Sequence, residues 1–156
     1  MLKTIAVVGL SALSSMSPLA LQAQEAEKSD RCTATIAAAQ KRIETGRNVD
    51  VVLDIADNVP ELYSDYPANR PYRYTFALDG MAAESIMASG KFTKSIATTV
   101  INNCSSVGLV IFAVYRTDWY YAYGLLPNGK IENFGTNCVE PGPGPGKLRW
   151  GQQICF

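Results

Sequence analysis

The chain has 156 residues, 47% hydrophobic and 18% charged, with 14 basic and 14 acidic side chains. This composition excludes the disordered, collagen-like and polybasic classes, and the balanced charge sets up no field for nucleic acid, so no nucleic-acid partner is expected. Histidine is absent, which removes His-based triads, His-ligated zinc and an imidazole base, and no metal or other cofactor is expected.

Lys3, an apolar run over residues 4–10 and a small-residue stretch ending at Leu21-Gln22-Ala23 read as an export signal cleaved after Ala23. Residues 1–23 are then a signal peptide, and residues 24–156 form a single exported domain of about 133 residues. The apolar run is too short to cross a bilayer and no later segment is longer, so no transmembrane segment is expected and the destination is periplasmic or secreted. Cys32, Cys104, Cys138 and Cys155 all fall in the mature part. An even number in an exported chain, with no CxxC pair, points to two structural disulfides rather than to redox chemistry or zinc.

Along the chain, Cys32, Ile36, Ala39 and Ile43 recur at helical spacing, with Asp30 as cap and Gly46 as stop. Val49, Val52, Leu53, Ala56 and Val59 continue that period, with Asp50, Asp54, Asp57 and Glu61 opposite, and predict a second helix over 49–58. Alternating Val49, Val51, Leu53 and Ile55 offer a competing strand. The four carboxylates lack EF-hand spacing and read as a solvated face. Residues 63–74, with two prolines and four tyrosines, form a long aromatic connection that covers a core edge or holds a ligand. Tyr72, Tyr74, Phe76 and Leu78 alternate as a strand ending at Asp79-Gly80, a hairpin signal that would return over 84–88, with a short helix over 81–88 competing. Phe92, Ile96, Thr99, Val100 and Asn103 share a further helical face.

Residues 107–114 are a continuous apolar run and read as a central strand. Residues 119–126 and 131–134 follow as strands joined through Pro127-Asn128-Gly129. Residues 135–146 hold an exposed Pro-Gly loop, and alternation over 148–156 predicts a final strand. The fold class is α+β: a small disulfide-stabilised domain with an antiparallel β-meander covered on one face by two or three helices. In a meander Cys104 and Cys138 sit at opposite ends of the sheet, beyond disulfide reach, so the expected pairs are Cys32–Cys104 and Cys138–Cys155.

Trp119, Tyr121 and Tyr123 share one face of their strand, and Tyr120, Ala122 and Gly124 the other. If the core takes the second set, three aromatic rings stand exposed as a stacking platform that Trp150 extends; if it takes the first, they are packing. The candidate carboxylates Asp79, Glu84, Asp118 and Glu132 lie near turns, and no GxSxG, SxxK, Walker, dinucleotide or HExxH motif occurs. The residues resemble no family closely enough to transfer roles. The expected function is a non-catalytic exported binding module that recognises a glycan, a cell-envelope component or a protein through the aromatic surface or the disulfide-held loop. The alternatives are an inhibitor of an exported enzyme and a small carboxylate-based hydrolase.

Overall fold

A computed structural model of the chain describes residues 18–56, 58–140 and 146–155. Most of the expected signal segment and the centre of the Pro-Gly loop lie outside these residues. In chain order the elements are α1 (Pro18–Glu44), β1 (Asp50–Ala56), α2 (Val59–Leu62), β2 (Tyr72–Asp79), α3 (Ala83–Ala88), α4 (Gly90–Asn103), β3 (Val107–Val114), β4 (Tyr120–Leu125), β5 (Ile131–Asn133), a 3₁₀ turn (Phe134–Asn137), β6 (Cys138–Val139) and β7 (Gln153–Ile154). Among the described residues no helix is long and apolar enough to cross a membrane.

The domain is α+β, with a five-stranded sheet in the order β1-β2-β3-β4-β5. All neighbours are antiparallel except β2 and β3, which run parallel because α3 and α4 carry the chain back across the sheet between them. The Asp79-Gly80 turn therefore leads into α3 rather than into a hairpin strand, since both edges of β2 are already taken. Gly80 sits at φ +127°, and a β-carbon there would lie 2.7 Å from the Asn48 carbonyl oxygen, a position open only to glycine.

Helix α1 buries Ile36, Ala39 and Ile43, the face that the spacing predicts, and turns off at Gly46 with φ +71°. It runs through Asp30 instead of starting there, because the preceding Gln24-Glu25-Ala26-Glu27-Lys28 contains only strong helix formers. The expected helix over 49–58 is instead β1, which pairs with β2 along seven residues from Asp50↔Asp79 to Ala56↔Arg73. Its β-branched side chains suit the pleat, and pairing with a neighbouring strand overrides a helical period that lacks tertiary support. The acidic helix face disappears with it.

Two cores flank the sheet. On the helix side, Ile43, Phe76, Met87, Ile96, Val100, Phe112 and Tyr123 pack together, and Cys32 bonds Cys104 to fasten α1 to the end of α4, with Cα atoms 4.7 Å apart. On the other side, Val59, Tyr63, Leu109, Ala122 and Phe134 form a smaller core under Leu148 and Trp150. The predicted continuous last strand is only the two-residue β7, paired parallel with β6, plus a bridge from Leu148 to Tyr63. The break falls at Gly151, whose φ of +92° turns the chain. Cys138 bonds Cys155, Cα to Cα 5.1 Å, and ties this C-terminal ribbon shut.

Candidate functional site

Strand β4 is buried from both sides at its centre. Tyr123 points into the helix-side core, 1% exposed, with its hydroxyl 2.8 Å from the Thr93 hydroxyl and its ring edge-on to Phe112 at 6.0 Å. Gly124 points the other way, where any β-carbon would lie 2.9 Å from Trp150 Cζ2 and closer still to the Phe134 ring. The absence of a side chain there lets Phe134 and Trp150 pack directly against the strand, edge-on to each other at 5.1 Å. Trp150 is locked further by donating from Nε1 to the Leu125 carbonyl at 2.8 Å, while its backbone N–H reaches Asp65 Oδ1 at 2.7 Å.

The four predicted binding rings thus separate. Tyr123 is core on the helix side, and Trp150 is packing on the opposite side. A continuous strip of Trp119, Tyr121 and Tyr123 does not form, because the strand's centre is covered on both faces. Trp119 and Tyr121 stay together at the outer end of β4, rings edge-on at 6.4 Å, with Trp119 39% exposed and Tyr121 half-buried.

These two rings border a groove of about 430 Å³ that follows the edge of β4 beyond the short β5. Its far wall is the ribbon, with Cys138, Cys155, Gln153 and Ile154. Gln153 is almost fully buried and takes the place of a missing neighbour strand: its Oε1 accepts the Ala122 N–H at 3.3 Å and its Nε2 donates to the Tyr120 carbonyl at 3.2 Å. These two groups are thereby paired where the edge of β4 lines a cleft.

A second groove of about 410 Å³ joins the first through Asp118, Tyr120 and Ile154. Its floor is the part of the sheet that the ribbon leaves open, including Ile111, Ala113 and Thr75. Asp54 lies on its rim, bonded to Arg73 at 3.1 Å. Tyr63 forms part of its wall and donates to the Gln152 carbonyl at 3.2 Å. Burial, reinforced by nearby Tyr120 and partly opposed by Arg73, pushes the Tyr63 phenol well above its ordinary range; burial also raises Tyr120. Both phenols are therefore neutral hydrogen-bonding groups at neutral pH.

Of the candidate carboxylates, only Asp118 lines these grooves. Glu132 sits 2.6 Å from Lys94 Nζ, and that hydrogen bond and charge hold its carboxyl below the usual range, the opposite of what a general acid needs. Among the described residues no group of three or more Cys, Asp or Glu side chains is placed to hold a metal ion.

Sequence reasoning singled out Trp119 and Tyr121 but missed Tyr63, Arg73, Tyr120 and Gln153 as groove residues. Tyr63 stands in the tyrosine-rich connection expected to cover a core edge or hold a ligand; it packs in the smaller core and walls the second groove. No protein-family model, curated protein or solved structure matches the chain.

Proposed function

We propose that the domain is a non-catalytic exported binding module, and that its site is the double groove along β4, with a glycan as the ligand class. The observation that carries this reading is the meeting, in one concave site, of partly exposed Trp119 and Tyr121 rings with the Asp118 carboxylate. Aromatic faces give a sugar ring apolar contact area, and adjacent carboxylate, phenol and hydroxyl groups accept or donate to its hydroxyls. The walls need no rearrangement: the Cys138–Cys155 bond and the Gln153 bridge fix the ribbon against β4 before any ligand arrives.

Two disulfides in a small domain with no membrane-spanning helix among the described residues fit an extracytoplasmic location. Together with the signal-like first 23 residues, this supports a periplasmic or secreted protein that meets envelope or extracellular glycans.

Isothermal titration of the oxidised domain against soluble oligosaccharides of glucose and of N-acetylglucosamine tests the reading. Binding weakened more than tenfold by Trp119→Ala, and unchanged by Met81→Ala in the exposed turn before α3, is the expected result. Binding that ignores Trp119, or none across the panel, overturns it.

A further inference from the structure

The two edges of the sheet are treated differently. Beyond β5, three residues long, the edge of β4 is sealed by the Gln153 amide. At the other end β1 presents a full seven-residue edge in unbroken register with β2, without proline, lysine, arginine or bulge. Proline, basic side chains and bulges are devices by which proteins protect an edge from pairing with another strand, and the charges that β1 does carry are Asp50 and Asp54.

Hydrogen-bond parity identifies the groups that β1 leaves open. The Leu78 carbonyl accepts from Tyr115 N–H at 2.9 Å and Tyr72 N–H reaches the Ser106 carbonyl at 3.1 Å, so the even-numbered residues of β2 turn their backbone toward β3. Their partners Val51, Leu53 and Ile55 then turn their own N–H and C=O groups outward. Val51 bears this out: its N–H donates to Glu44 Oε1 at 3.1 Å and its carbonyl accepts from Gln40 Nε2 at 3.5 Å, both from α1. The outward groups of Leu53 and Ile55 have no partner among the described residues. Leu53 and Ile55, 36% and 55% exposed, stand on the helix-side face of this open edge, and Val52, 44% exposed, on the opposite face.

We propose that β1 is a self-association edge, and that a second copy of this chain adds its own β1 antiparallel to it, joining two five-stranded sheets. Charge selects the register. A two-fold axis at Leu53 sets Leu53 against the partner's Leu53 and Val51 against the partner's Ile55 on the helix side, while Asp54 meets the partner's Val52 and Asp50 meets the partner's Ala56. Shifting the axis to Asp54 would place two carboxylates directly opposite each other, which is unfavourable. In the Leu53 register the central pair uses groups that are already free, whereas the outer pairs need the Val51 amide that Glu44 holds. Glu44 therefore competes with the second copy and keeps the association weak.

Sedimentation equilibrium of the oxidised domain up to about 1 mM, a range that detects even millimolar dissociation constants, tests this. The expected result is a concentration-dependent dimer that Glu44→Ala tightens several-fold and Ile55→Pro abolishes. The Ile55 N–H faces outward, so proline there removes an edge donor without touching the ladder to β2. Circular dichroism verifies that each variant is folded; if Ile55→Pro is not, Leu53→Lys at the same half-exposed edge takes its place with the same expected loss. A monomer in both the wild type and Glu44→Ala, or a dimer that survives the edge variant, overturns the proposal.

Discussion

Gln153 binds Ala122, and Tyr120 two residues before it, as a strand would: the side-chain carbonyl accepts the Ala122 N–H at 3.3 Å while the amide nitrogen donates to the Tyr120 carbonyl at 3.2 Å. One buried side chain thus closes a sheet edge and fixes the wall of the groove. Replacing it with leucine, close in size, leaves the buried Ala122 N–H and the part-buried Tyr120 carbonyl unpaired, and the expected loss is about 1–3 kcal/mol. Urea denaturation measures this, and hydrogen exchange at the Ala122 amide should speed up with it. Unchanged exchange would mean that the bridge does not hold the edge.

Gly124→Ala tests the second core. The added methyl must displace Phe134 and Trp150 from the sheet, and overpacking of this kind costs about 1–3 kcal/mol. Trp150 fluorescence should shift as its hydrogen bond to Leu125 is disturbed. A variant as stable as the wild type would contradict the placement of both rings.

How much of this was legible beforehand differs from segment to segment. In α1, Ile36, Ala39 and Ile43 have no plausible alternative period, and the face that they predict is the buried one. In β1, Val49-Asp50-Val51-Val52-Leu53 fits both periods, and only the neighbouring strand decides. The ribbon was unreadable for another reason: Gln153 and Trp150 act on β4, some 30 residues earlier in the chain, and no local pattern records such a contact. One signal was available for the site. Residues 120–125 carry no charge on either face of their strand, as expected where both faces are covered, and that argued against an exposed strip through Tyr123.

The disulfides contribute unequally. Closing the longer loop removes more freedom from the unfolded chain, so replacing Cys32 and Cys104 with serine should cost about 4 kcal/mol and replacing Cys138 and Cys155 about 3 kcal/mol on the chain-entropy model. Cys138 is exposed, whereas Cys104 is buried. Mild reductant followed by alkylation and peptide mapping should therefore label Cys138 and Cys155 first. Earlier labelling of Cys32 and Cys104 would contradict the packing of α1 on α4.

Alkaline pH should destabilise the fold through Tyr63 and Tyr120. Both phenols are raised above the ordinary value of 10.0 by burial, so the folded state holds protons that the unfolded chain releases. Their contribution is complete below pH 10 and falls as pH rises from there toward the folded-state values. Denaturant midpoints measured between pH 9 and 11.5 should decline, and Tyr63→Phe should flatten the decline at the expense of the hydrogen bond to Gln152. A Tyr63→Phe profile as steep as the wild type would remove Tyr63 as a source.

Whether the β4 grooves bind a ligand is decided by ¹H–¹⁵N spectra of the oxidised domain titrated with glucose and N-acetylglucosamine oligosaccharides. The Trp119 indole N–H and the Gln153 side-chain amide should shift with ligand concentration, while the Trp150 indole, locked to the Leu125 carbonyl, stays in place. Shifts confined to any other surface, or a Trp119 indole that is unmoved throughout, would contradict it.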